Sequence, residues 1–181
     1  MSGTPWRAIA RYGVRPAPGG LALVHDLLNT RAIGEKDVDS LGDGRRATQW
    51  MRPVVRAWAR MTGRRCPSQV LTDTDAAQLR RLRDNLLRSL TALPGEAGGV
   101  GWATLAGTGE LSWTLSGVGW RWVYGAVLGE VLLSQHAGTW PRLKQCPNPA
   151  CGAIFYDSTW NSGAVWHNAG TCGRTTRQLR V

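Results

Sequence analysis

Lysine is almost missing from this chain of 181 residues: of its 22 basic residues only Lys36 and Lys144 are lysines, and the rest are arginines. Acids are few as well, with 12 in all, which leaves a formal net charge of +10. Arginine favours planar contacts to phosphate, carboxylate or aromatic faces, so nucleic acid is a candidate partner. Solubility is the alternative reading of the same charge. Long hydrophobic runs are also lacking. The longest, Trp122 to Leu133, contains Glu130 and falls short of the roughly 20 residues that span a bilayer, so no membrane partner is expected. The first residues, MSGTPWRAIARYGVRPAPGG, hold no apolar core of the signal-peptide type, and a soluble cytoplasmic protein is the expectation. Also missing are a glycine-rich phosphate loop, a serine nucleophile elbow, a second metal cluster and any internal repeat. With 43% hydrophobic and 19% charged residues the chain does not have a disordered composition, and its length suits one core with a small appended module.

Turn and periodicity signals divide what is present. Residues 1–18, rich in Pro and Gly, read as a loose arm, and residues 19–140 as a mainly helical domain. Within LALVHDLLNT, Leu23, Leu27 and Leu28 recur at helical spacing. From Arg45 to Met61, the residues Ala47, Trp50, Met51, Val54 and Trp58 share one helical face, and Pro53 inside that pattern predicts a kink or two short helices. Thr72 followed by Asp75 forms a capping box for a helix running to Leu93, with Leu79, Leu82, Leu86 and Leu90 as its apolar stripe. Arg80, Arg81, Arg83, Asp84 and Arg88 lie mainly outside the stripe and read as a solvated face. GVGWATLA and ELSWTL suit a two-stranded hairpin in which Trp102 and Trp113 pair, and Gly119 to His136 returns to helical spacing. The fold class is thus α+β, mainly α, with a small β-hairpin.

The remaining residues, 141–181, hold three of the four cysteines. Cys146 and Cys151 are separated by four residues, as are His167 and Cys172, and fifteen residues lie between the two pairs. Three thiolates and one imidazole make a closed, tetrahedral zinc site of the structural kind, with no position left for an activated water. The spacing alone leaves buried free thiols open as well. Asn148, Gly152, Asn161, Gly163, Gly170 and Gly173 nearby favour zinc, since glycines permit the positive φ angles of tight turns around a metal. Cys66 is spare.

The segment CPNPACGAIFYDSTWNSGAVWHNAGTCGRTTR resembles the CGNR-type zinc finger, with Phe155, Asp157, Asn161, Trp166 and Cys172-Gly173 placed as in that motif. Upstream, LALVHDLLNTR resembles the opening of the companion ABATE domain through Asp26, Asn29 and Thr30. The resemblance implies a bacterial stress-induced transcriptional regulator with a ligand-sensing helical domain and a DNA-contacting finger. It departs from the family pattern where His167 stands for a cysteine, where Arg174 and Thr175 replace the asparagine and arginine of the motif, and where Trp160, Ala164 and Val165 occupy places commonly held by arginine. Arg174, Arg177 and Arg180 are the expected phosphate contacts.

Elsewhere, Trp50, Trp58, Trp102, Trp113, Trp120 and Trp122 could line a pocket for an aromatic or apolar small molecule, with core packing as the alternative. His25 with Asp26, and His136 with Glu130, are the catalytic candidates in the main domain, and Asp26 and Asn29 read better as residues that bond local backbone. A small-molecule enzyme or carrier with a purely structural zinc is therefore the rival function, and a homodimer anchored by exposed tryptophans a third.

Overall fold

A computed structural model describes residues 4–33, 37–91, 102–105 and 111–175. In chain order the elements are α1 (Arg7–Ala10), α2 (Leu21–Leu28), α3 (Gly44–Thr62), α4 (Asp73–Thr91), β1 (Trp102–Leu105), β2 (Leu111–Thr114), α5 (Trp120–His136), a 3-10 turn (Trp140–Arg142), β3 (Leu143–Gln145), β4 (Ile154–Tyr156) and a π-helical turn (Ala169–Gly173). The chain is mainly helical, with the expected hairpin and a C-terminal Cys/His cluster.

The short helix α2 is the axis of the molecule. All eight of its residues are buried, so it is covered on every side rather than along one stripe. The elements α1, α3, α4, α5 and β4 pack around it. Each of Leu23, Val24, Leu27 and Leu28 is fully removed from water, a contribution of about 1.5–3 kcal/mol per side chain.

Of the two outcomes expected at Pro53, the division into two short helices does not occur: α3 is one helix through Pro53. Its two halves bury one continuous face, Ala47, Trp50, Met51, Val54, Val55 and Trp58, and that shared burial holds the helix across the missing amide donor. The Asp43 side chain caps its start by accepting from the Arg46 amide at 2.8 Å. The capping box of α4 forms as expected: the Thr72 amide donates to Asp75 Oδ2 at 2.8 Å, and the Asp75 amide returns a bond to Thr72 Oγ1 at 3.1 Å. Leu93 lies outside the described residues.

Two expectations fail. Residues 6–17 are not a loose arm: Trp6, Ile9 and Ala17 join the main core, because the Ile9 amide finds an acceptor in buried Asp26 and the Ala17 amide one in buried His25. In the hairpin, Trp102 stands opposite Thr114 and Trp113 opposite Ala103, so the two tryptophans are not register partners. Their side chains lie outside the described residues.

Arg83, expected on a solvated face, is only 4% exposed. It donates from Nη1 to both carboxylate oxygens of Asp39 at 2.9 Å and from Nε to Asp84 at 2.9 Å. Arg80 likewise turns inward to the carbonyls of Leu41 and Gly42. The two arginines thereby fasten the 37–42 segment to α4 with charge-assisted bonds.

Candidate metal centre

The C-terminal hairpin β3–β4 is antiparallel, with Lys144 opposite Phe155 and Gln145 opposite Ile154. Cys146 and Cys151 flank the turn between its strands. Asn148 shapes that turn: its side chain accepts from the Ala150 amide, and its carbonyl accepts from the amides of Cys151 and Gly152. Gly152 has φ of +58°, a left-handed conformation that needs glycine, and its carbonyl receives Arg31 Nη2 at 2.8 Å. Gly163, Gly170 and Gly173 are not left-handed. The role of Gly173 is different, since a Cβ there would stand 3.2 Å from the ring of Trp166. His167 and Cys172 come from the second half, where the Asn168 side chain caps the Ala169–Gly173 turn through the Thr171 amide.

These two halves bring Cys146, Cys151, His167 and Cys172 together with all ligand atoms within 4.8 Å of one another. His167 presents Nδ1, which lies 3.4 Å from Cys151 Sγ and 3.6 Å from Cys172 Sγ. Those spacings match the edge of roughly 3.6 Å that tetrahedral geometry requires for Zn–S near 2.3 Å and Zn–N near 2.0 Å. The chemistry of the set agrees. Burial, reinforced by the neighbouring Cys146 and Cys172, pushes the Cys151 thiol up to about 12 although the Ala153 amide opposes it. Burial lowers His167 below its ordinary value. Such a cluster of neutral donors becomes a set of thiolates only against a cation. Three sulfurs and one imidazole nitrogen with no open position fit one structural Zn²⁺.

Residues 142–181 match the family model of the CGNR zinc finger. The match contains all four ligands. No curated protein matches the chain.

A buried carboxylate holds the distal loop of the CGNR finger. Asp157 accepts Lys144 Nζ at 2.7 Å, both the hydroxyl and the amide of Thr159, and the Ala164 amide at 2.8 Å. Burial alone would raise its pKa, but these donors outweigh burial and hold it well below the usual carboxylate range. Arg142 is spent the same way, on the carbonyls of Asp157 and Thr159. Trp160, at the tip of this loop, is 97% exposed.

The finger is joined to the helical core through α2. His25 Nδ1 accepts the Ala17 amide at 3.1 Å, which leaves Nε2 as the protonated nitrogen, and Nε2 donates to the Ile154 carbonyl at 2.9 Å. Asn29 treats Ile154 as a strand would, accepting its amide at Oδ1 and donating Nδ2 to its carbonyl, each at 3.0 Å. Leu143 and Ile154 belong to the main hydrophobic core, while Tyr12 and Val14 of the N-terminal segment pack on the small cluster around the ligands. The ring of Tyr12 meets His167 edge-on at 6.4 Å. Neither Tyr12 nor Arg31 carried a motif signal in the sequence.

The other candidates separate. Asp26 accepts the Ile9 amide at 3.0 Å and Trp50 Nε1 at 2.9 Å, bonds that are long-range and not the local ones expected. Glu130 accepts Trp58 Nε1 at 2.9 Å, and Trp58 packs edge-on against Trp122 at 5.7 Å. His25, Asp26 and Glu130 are at most 7% exposed and occupied by structural bonds. Trp120 packs against Tyr124. Among the tryptophans whose side chains are described, Trp50 borders an open cavity of about 300 Å³ with Arg7 and Arg46, and Trp122 borders another of about 540 Å³ with Arg64, Arg65 and Leu115. Arg174 is exposed beside the ligand Cys172, whereas Arg177 and Arg180 lie outside the described residues.

Proposed function

We propose that the protein is a zinc-containing transcriptional regulator whose CGNR finger contacts DNA and whose ABATE-like helical domain senses a small aromatic or apolar molecule. The observation that carries this reading is the match of residues 142–181 to the CGNR zinc finger on a chain of net charge +10. The closed ligand set supports it, because a zinc without an open position shapes a surface and performs no hydrolysis. Arg174, Arg177 and Arg180 follow the last ligand, where phosphate contacts would fix the finger on the duplex. The ligand-sensing half draws on the cavity beside Trp122, whose lining of Leu115, Cys66, Arg64 and Arg65 suits a planar molecule with an anionic edge.

The bonds of His25 and Asn29 to Ile154 give such a ligand a route to the finger, since α2 packs against α5, the helix that carries Trp122. The test is anisotropy of a labelled DNA duplex across salt. Binding at low salt that weakens steeply with added salt, and weakens further in the Arg174→Ala/Arg177→Ala/Arg180→Ala variant, is the expected result. Absence of duplex binding at low salt would remove the reading.

The rival reading, a small-molecule enzyme or carrier with a purely structural zinc, draws on the same cavity and on the occupation of Arg142 and Lys144 by Asp157 and its loop. Tight ligand quenching of tryptophan fluorescence without salt-dependent duplex binding would favour it.

A further inference from the structure

The helix α3 carries no acidic residue, and its solvent face is a row of arginines. At 3.6 residues per turn, Arg45, Gln49, Arg52, Arg56 and Arg60 fall on one strip, opposite the buried Trp50, Met51, Val54 and Trp58. All five strip residues are exposed. Among the described residues none of Arg45, Arg52, Arg56 and Arg60 lies within ion-pair distance of a carboxylate, and the neighbouring Asp43 is taken by Arg46. Arg52, Arg56 and Arg60 are successive i, i+4 neighbours, an arrangement of like charge that lowers the stability of a helix. A face serving solubility alone would intersperse acids, as α4 does with Asp73, Asp75 and Asp84.

We infer that this strip of α3 is a second surface for the phosphodiester backbone of double-stranded DNA, separate from the finger. Charge complementarity selects the occupant. The strip runs roughly 22 Å, with a guanidinium about every 6 Å over its second half. A duplex presents one negative charge per about 1.7 Å of axis, so a helix lying along it meets phosphate wherever an arginine projects. Guanidinium forks suit phosphate oxygens. A lipid surface fits less well, since the strip has no bulky apolar side chain among its arginines to enter a bilayer interface. The contact reads backbone and carries no sequence information, and it complements a finger in which Arg142 and Lys144 are used internally.

This inference rests on the proposed DNA-binding function, and the experiment separates the two. Binding of a random-sequence duplex is measured across salt for the full chain, for Arg52→Ala/Arg56→Ala/Arg60→Ala, for the lysine version of that triple variant and for the finger variant. These exposed positions tolerate alanine in a helix, and circular dichroism verifies the fold. The expected result is that the alanine variant loses more than about tenfold in affinity at moderate salt and that its salt slope shrinks by roughly 2.7, three contacts at about 0.9 each. The lysine version should keep the slope. An unchanged slope and affinity in the alanine variant, with binding by the parent chain, overturns the inference and leaves the finger reading standing. No duplex binding by the parent chain overturns both. Loss of binding to phosphatidylcholine–phosphatidylglycerol vesicles in the alanine variant, with duplex binding intact, overturns it in favour of a lipid surface.

Discussion

His25 and Asp26 are sequence neighbours on α2, and burial moves them in opposite senses. Burial lowers His25 from its ordinary 6.5 to about 4, against the bond to the Ile154 carbonyl. It raises Asp26 from 3.8 to about 6, against the Ile9 amide and the Trp50 indole. Between about pH 6.5 and 4 the unfolded chain takes up a proton on the histidine that the folded chain refuses, so that term lowers stability as pH falls. Between about 6 and 3.8 the folded chain takes up a proton on Asp26 that the unfolded chain does not, so that term raises it. Each is worth about 1.4 kcal/mol per pH unit where fully expressed, and over their shared window they offset one another. Asp26→Asn should therefore steepen the loss of stability on acidification between pH 6 and 4 relative to the parent chain. Urea titrations at several pH values measure it, and parallel profiles would contradict the assignment. Asn29→Ala strands the buried Ile154 amide and should cost about 1–3 kcal/mol, read as a lower urea midpoint.

The sequence showed Asp26, Asn29 and Thr30 as a pattern but not what they touch. Asn29 does make the local bond expected of it, from Nδ2 to the His25 carbonyl at 3.1 Å, and Thr30 Oγ1 donates to the Leu27 carbonyl at 2.7 Å. The other partners, an amide of the N-terminal segment and an indole of α3 for Asp26 and the Ile154 peptide group for Asn29, are distant in sequence, and no local signal encodes such pairings. Periodicity likewise placed Arg83 outside the leucine stripe of α4 without revealing that Asp39 would draw it into the interior. The four metal ligands were legible because metal chemistry limits the donors to Cys and His at short spacing. The ligand turn was legible in part: Gly152 has the positive φ expected of it, while Gly173 is there for the ring of Trp166.

At the scale of elements, most helices announced themselves through apolar spacing and caps, and the exceptions have stated causes. Pro53 does not divide α3 into two helices, because the helix buries one face across the missing donor. Pro53→Ala restores an amide donor and removes the ring clash, a gain of up to about 3 kcal/mol from which about 0.4–1 is lost as the unfolded chain becomes freer. A net rise of about 1–2 kcal/mol is expected in chemical denaturation, and a decrease would mean that the ring itself is needed for packing. The Pro and Gly residues of the N-terminal segment suggested a loose arm, yet Trp6 and Ile9 join the main core and α1 packs against the short α2. The hairpin β3–β4 belongs to two structures at once, with Ile154 in the helical core and the flanking Cys146 and Cys151 at the metal centre.

That sharing sets the behaviour of the whole molecule. A finger tethered by a linker would melt separately from its domain. Here Leu143 and Ile154 lie in the main core and Tyr12 covers the ligand cluster, so removing the metal should lower the melting temperature of the entire chain in one transition. Calorimetry with and without a chelator checks this, and an independent low-temperature transition with the main one unshifted would show the finger to be autonomous. Cys151→Ser should behave like the chelated protein, and should lose the finger's share of salt-dependent duplex binding if the finger positions Arg174. Among the described residues no helix is long and apolar enough to cross a membrane.

The finger is organised around one metal held by three sulfurs and one nitrogen. X-ray absorption at the zinc edge of the purified full chain tests this directly. One zinc per chain, with a first shell of three sulfurs near 2.3 Å and one nitrogen near 2.0 Å and no oxygen, is the expected result. A shell containing oxygen, or fewer than three sulfurs, would contradict a closed centre built from Cys146, Cys151, His167 and Cys172.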